Sequence, residues 1–178
     1  MIKEEIDRAK RLYMHYGEAL INQDGLGVLF EVYLNSIRKT QKVMKQVRVA
    51  ETCSVCACEG PGSCCFEGVE EWYDHVLLLI NLVLGRQIPE FREVPGGCLF
   101  LGSSGCKLIA RHSFCVNYLC PSLKDLMKTP LGETLLSVSG DELFCGWELE
   151  KSIRRWLQNQ GREIDLRPVA EMGIAYGH

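Results

Sequence analysis

No stretch of this 178-residue sequence stays apolar for long enough to cross a bilayer. The longest near-apolar run, Val76 to Leu84, is nine residues interrupted by Asn81, whereas a spanning helix needs about 20. A membrane span is excluded, and the run predicts a buried central helix. Clustered basic charge is also missing. The 20 lysines and arginines are scattered and outnumbered by 23 acidic residues, for a formal charge of -3. A surface that tracks phosphates is therefore not expected, and nucleic acid is a poor partner. The amino-terminal MIKEEIDRAKRLYM carries charge throughout and lacks the apolar run and small-residue cleavage site of a secretory signal. A cytoplasmic location is expected. There is no glycine-rich cofactor loop after a strand, no βαβ context for a redox dithiol, no internal repeat and no low-complexity segment.

What the chain does have is cysteine. Nine of its ten cysteines fall between Cys53 and Cys120, in CSVCACEGPGSCC and, after a helical interval, CLFLGSSGCKLIARHSFCVNYLC. Thiolate sulfur is the soft ligand that selects zinc or iron-sulfur clusters, and Cys-x2-Cys spacing puts two sulfurs on one tight turn. Cys53 and Cys56 have that spacing. Gly60-Pro61-Gly62-Ser63 supplies a reversal that can return Cys64 and Cys65 to the first pair. In an exported protein ten cysteines would suggest five disulfides; in a reduced compartment this clustered spacing favours metal.

Cys53-x2-Cys56, the Cys64-Cys65 doublet, Cys98-Leu99-Phe100-Leu101, Gly105-Cys106 and Arg111-x3-Cys115 together resemble the CxxCxxCC (YkgJ-type) cysteine cluster family of zinc- or iron-chelating domains. The resemblance covers the middle of the chain and implies metal chelation. Two features depart from the family pattern. Seven residues, including Cys58, separate Cys56 from the doublet where the family usually has two, and His112 stands where proline is common. Cys58 and His112 are therefore further ligand candidates. Some proteins with this motif are protein-modifying enzymes such as flagellin lysine methylases, so the resemblance also admits an iron-sulfur enzyme.

Periodicity supplies the frame. Ile2, Ile6, Ala9, Tyr13, Tyr16 and Leu20 repeat at steps of four and three, as do Phe30, Tyr33, Ile37, Thr40, Met44 and Val47. With the Asp24-Gly25 break between them they predict an antiparallel helical hairpin over 1–50. Its wide apolar face would dock on the protein's own core, the favoured reading, or pair with a second copy in a homodimer. A helix is expected over Glu67 to Arg86. His75, immediately before the apolar run, is expected as a hydrogen-bonded core histidine, with metal ligation the alternative. Cys98–Leu101 and Cys106–Ile109 flank Gly102-Ser103-Ser104-Gly105 as a small β-hairpin. Paired in register, Cys106 faces Leu101, which turns Cys98 and Cys106 to opposite sides. Short helices follow Pro121 and Thr129-Pro130. Ser139-x2-Glu142 reads as a capping box opening a helix whose stripe is Cys145, Leu149, Ile153 and Trp156.

The expected fold is a single mainly α domain over 1–178. A helical hairpin over 1–50 and further helices over 121–178 pack around an irregular cysteine-rich metal core over 53–120, which carries the small β-hairpin. The eight core candidates are Cys53, Cys56, Cys64, Cys65, Cys98, Cys106, Cys115 and Cys120. Eight thiolates satisfy two tetrahedral zinc ions, or two four-cysteine clusters, with none left over. Four thiolates on Zn2+ leave a charge of -2, for which Lys107 and Arg111 are the nearby counter-charges. Closed shells leave no position for water or substrate, so zinc in a structural or interaction role is expected, with iron or an iron-sulfur enzyme as the alternative. Cys145 differs from the eight in having a packing explanation. Cys145→Ala should lower stability and leave metal content intact, whereas Cys56→Ala should lower metal content. Metal analysis of the two purified variants checks this; equal loss would show that the stripe cysteine belongs to the core.

Overall fold

The computed structural model describes residues 1–53, 64–118, 121–126 and 128–160. Cys56, Cys58 and Cys120, and the tail beyond 160, lie outside the described residues. The architecture is mainly helical. Helices α1 (Ile2–Asn22) and α2 (Leu26–Gln46) form the hairpin. Gly25 adopts φ +87° at its bend, a conformation that a side chain would strain. The α1 stripe buries Ile6, Ala9, Leu12 and Leu20, while Tyr13 is 41% exposed. Leu12 thus takes the place expected for Tyr13. The two positions are about 100° apart around the helix, and the element packed against α1 decides which one is covered. On α2 the expected Phe30, Tyr33, Ile37 and Thr40 are buried.

Each helix of the hairpin packs chiefly on a later helix and only secondarily on its neighbour. The partner of α1 is α3 (His75–Val83), and that of α2 is α6 (Pro130–Asn159). Thr40 donates to the Val138 carbonyl at 3.1 Å, and Trp156 Nε1 donates to the Gln23 side chain at 3.3 Å. Because Thr40 meets Val138 while Gln23 meets Trp156, α2 and α6 run antiparallel. Between these contacts the helices approach closely at Gly146, where a Cβ would come within 3.0 Å of the Tyr33 ring. Phe30, Tyr33 and Ile37 of the hairpin thus join the protein's own core, while Val32 stays 45% exposed.

The helix expected over Glu67 to Arg86 is shorter and has a different start. A 3-10 turn, Val69–Trp72, comes first, and the α-helix begins only after Asp74. Asp74 caps it, accepting from Val76 N at 3.0 Å and Leu77 N at 2.9 Å. Val76, Leu78, Leu79 and Ile80 are fully buried, each worth about 1.5–3 kcal/mol on burial. The two strands, β1 (Leu101–Gly102) and β2 (Gly105–Cys106), pair Leu101 with Cys106 as expected, but Gly102 also pairs with Gly105. The connection is therefore a two-residue loop, Ser103-Ser104, and each strand is only two residues long. Past Cys106 one further bond, Lys107 N to the Phe100 carbonyl at 2.9 Å, continues the pairing, after which the backbone at 109–110 is bonded to α3.

Those bonds are made through Asn81. Fully buried, it donates from Nδ2 to the Leu77 carbonyl at 2.9 Å and to the Ala110 carbonyl at 2.8 Å. Its Oδ1 accepts Ile109 N at 2.9 Å and Ala110 N at 3.0 Å. Two short helices follow, α4 (Ser113–Asn117) and α5 (Pro121–Leu126). Helix α6 then runs unbroken for 30 residues from Pro130. Thr129 accepts from Gly132 N at 3.1 Å and proline occupies the first turn, which makes this the real start. Ser139 and Glu142 are no capping box: both are buried inside α6, on the side that faces α2. Leu149 and Ile153 are buried as expected, with Cys145 and Trp156 packed at the edge of the same core.

Asn81→Leu would fill the same space but strip the 109–110 backbone of its partners. Each buried backbone group left unsatisfied costs about 1–3 kcal/mol. A loss of at least about 3 kcal/mol is expected, large against a domain stability of about 5–15 kcal/mol. Denaturant unfolding checks this, and a variant within 1 kcal/mol (about a fivefold change in the folding equilibrium) of the parent would show that the bridge is not needed.

Candidate metal centre

Backbone pairing brings the first cysteine group to the second. Cys98 N donates to the Cys65 carbonyl at 2.7 Å, Phe66 bridges Gly97, and Glu67 N donates to the Gly96 carbonyl at 3.0 Å. Arg92 clamps this crossing, donating to the Gly97 carbonyl and, at 2.6 Å, to Glu70. Glu70 is 3% exposed and also accepts Gly68 N at 3.0 Å. Burial opposes its ionisation, but its own backbone N–H, Arg92 and Gly68 outweigh burial and hold its carboxyl below the usual range.

Cys106 ends β2, and Cys115 sits in α4, one turn past the His112 N-cap. Tyr73, just after the 3-10 turn, reaches across to that turn. Its hydroxyl accepts His112 N at 3.0 Å and donates to Cys115 Sγ at 3.7 Å. Cys53 approaches from a helical stretch, 49–53, that follows α2.

Charge interactions tie these cysteines into one group. Cys64 is pushed well above an ordinary thiol, first by its hydrogen bond with Cys65, then by burial, then by the charges of Cys65, Cys53 and Cys115. Burial pushes Cys98 up to about 12, and Glu70, Cys106 and Cys115 add to it. Partial desolvation pushes Cys106 up to about 11 even though the residue is exposed, with Cys115 and Cys65 reinforcing it and Arg111 opposing it. Burial also raises Cys115, against the Tyr73 hydrogen bond and Arg111. Cys53, Cys64, Cys65, Cys98, Cys106 and Cys115 are thus linked pair by pair, Cys53 through Cys64 and Cys98 through Cys106 and Cys115. The donor chemistry, several thiols that resist ionising together beside one arginine, suits a thiophilic cation that would replace their protons. Among the described residues, however, no three His, Cys, Asp or Glu side chains converge closely enough to hold an ion. Cys56 and Cys120 lie outside those residues.

The other candidates have different places. His75 pairs with Glu5, its Nδ1 2.8 Å from Oε2 and its backbone N donating to the same oxygen at 2.6 Å. It is the hydrogen-bonded histidine expected. His112 Nδ1 accepts Phe114 N at 3.2 Å, which leaves Nε2 as the nitrogen open to other partners, and burial lowers the ring's basicity. Lys107 is engaged by Glu93 and is not a spare counter-charge. Arg111 reaches the Met44 sulfur at 3.7 Å and acts on Cys106 and Cys115. Cys145 lines a surface groove between α2 and α6 beside Val32, Ser36 and Phe144.

Beside the cysteine group lies a cleft of about 260 Å3, lined by Tyr33, Trp72, Arg111, His112, Trp147 and Glu150 among others. Trp72 and Trp147 are 44% and 55% exposed. Burial and the nearby Asp74 raise the Glu150 carboxyl above its usual range, with Arg154 opposing. The sequence gives no local sign of this cleft, because α3, α4 and α6 contribute to it from distant parts of the chain. No helix among the described residues is long and apolar enough to cross a membrane. No family model, curated protein or solved structure matches the chain.

Glu142 is a buried carboxyl within the field of Arg111. It is 1% exposed, and neither carboxylate oxygen has a hydrogen-bond partner. The Thr40 hydroxyl lies near enough to favour the anion but is aimed at the Ser36 and Val138 carbonyls. Burial raises the Glu142 carboxyl, against Thr40 and Arg111. An acid raised on folding binds its proton more tightly in the folded state, so it weakens stability as pH climbs past the unfolded value. Glu142→Gln should therefore raise the melting temperature at pH 7 and leave it nearly unchanged at pH 3.5. Thermal melts at the two pH values check this; an equal shift at both would exclude ionisation as the cause.

Proposed function

We propose that the protein is a thiolate metal-binding domain, with zinc held by cysteines of the 53–120 region in a structural or interaction role. The observation that carries the reading is the backbone bond from Cys98 N to the Cys65 carbonyl, 2.7 Å, which joins the chain's two cysteine groups; charge interactions then link Cys53, Cys64, Cys65, Cys98, Cys106 and Cys115 pair by pair. Neighbouring thiols repel one another as anions, and the Cys64–Cys65 hydrogen bond favours the protonated form further. A bound divalent ion would supply the positive charge that lets them ionise together and would crosslink their segments. The chain's own part is to bring the sulfurs together through the Cys65–Cys98 backbone pairing, to hold Cys115 beneath Tyr73, and to set Arg111 against Cys106 and Cys115. The motif spacing that resembles the CxxCxxCC family points the same way.

A second reading, an iron-sulfur enzyme acting on a protein or small substrate, draws on the cleft between Trp72 and Trp147. Metal analysis and the visible spectrum of anaerobically purified protein separate the two. Stoichiometric zinc in colourless protein supports the first; iron with acid-labile sulfide and visible absorbance supports the second. Protein free of both would refute each.

Metal removal should loosen the middle of the chain. Structural zinc is worth about 10–16 kcal/mol in small domains, comparable with a whole domain's stability of about 5–15 kcal/mol. After treatment with a strong chelator, proteolysis is expected to cut within 53–120 before the α2–α6 pair. An unchanged digestion pattern with the metal demonstrably gone would contradict a structural role.

A further inference from the structure

We propose that Tyr73 is a positioning residue for Cys115, its buried hydroxyl donating a hydrogen bond that orients the sulfur as a thiolate ligand. This rests on the thiolate reading above and adds to it a residue from outside the cysteine set. Tyr73 is 2% exposed, and its ring packs edge-on against Phe100, with centroids 4.9 Å apart at 71°. A ring held this way has little freedom to turn its hydroxyl elsewhere. The oxygen accepts His112 N at 3.0 Å, so its own hydrogen is left for another partner, and Cys115 Sγ lies 3.7 Å away.

The arrangement closes on itself, because Cys115 N donates to the His112 carbonyl at 2.8 Å. The hydroxyl, the His112 peptide and the sulfur are therefore fixed relative to one another. The amide donor polarises the phenol and makes it a stronger donor in turn. A phenol carries its proton at neutral pH, so the hydrogen that the bond requires is present. Partners that hold a ligand atom from behind are typically worth about 10- to 100-fold in metal affinity. Tyr73 stands 42 residues from Cys115 in sequence, so no spacing rule connects them.

The test uses the full chain loaded with zinc, and separately with cobalt, whose sulfur-to-metal charge-transfer band reports electron donation by the thiolates. Tyr73→Phe keeps the ring and removes only the hydroxyl. Phe100→Leu disturbs the ring's support and keeps the hydroxyl, and serves as the packing control. Tyr73→Phe is expected to weaken zinc binding about 10- to 100-fold and to move the cobalt band to longer wavelength, with helix content by circular dichroism unchanged. Phe100→Leu should leave the band in place. Unchanged affinity and band in Tyr73→Phe, the same band shift in both variants, or loss of helix in Tyr73→Phe would each overturn the assignment. If the parent protein takes up neither zinc nor cobalt, the thiolate reading itself fails and the role of Tyr73 falls with it.

Discussion

The arrangement depends on one buried amide. Asn81 interrupts the apolar run of α3, and all of its hydrogen-bonding capacity is spent: two donations to carbonyls and two acceptances from the 109–110 backbone. A side chain of this kind in the core costs several kcal/mol unless it is fully satisfied. Here the satisfaction comes from an irregular segment that has no regular partner of its own. The segment lies between Cys106 and Cys115 and includes Arg111. The bridge therefore registers the second cysteine group against the helix that α1 covers, and the hydrophobic core and the cysteine region become a single object.

Around that register the polar and apolar demands conflict. The cysteines are close enough to raise one another, and Glu142 is buried without a hydrogen bond to either oxygen. Arg111, whose charge acts on Cys106, Cys115 and Glu142, stands between the two. A domain that gathers thiols and a carboxyl in this way gives up stability as a bare chain. The conflict at the cysteines is of the kind that a bound cation relieves, whereas the one at Glu142 is relieved by a proton. The helices α2 and α6 pack against each other and approach closely at Tyr33 and Gly146.

Much of the frame was legible in residue order. The Asp24-Gly25 break and the α2 stripe from Phe30 to Thr40 follow from helical periodicity and a glycine that can take positive φ. The Leu101–Cys106 register followed from hairpin pairing, although the strands are shorter than the pattern suggested. What failed was local motif reading without tertiary context. Ser139-x2-Glu142 has the letters of a capping box, yet both residues face α2 inside a continuous helix, because Thr129-Pro130 had already started it. Asp74, the true cap of α3, has Leu77 and not a carboxylate three residues on, so it lacks the letters of a capping box. Backbone pairing joins Cys65 to Cys98. The residues that arrange the cysteines, Tyr73, Arg92 and Asn81, act over separations of 22–42 residues for which periodicity has no signal.

The central claim is that these cysteines bind metal as thiolates, and X-ray absorption at the metal edge of the purified protein tests it most directly. For zinc, the account predicts a first shell of sulfur alone, with metal–sulfur distances of about 2.3 Å. A shell containing nitrogen or oxygen, or a chain that folds with no stoichiometric metal, would contradict it.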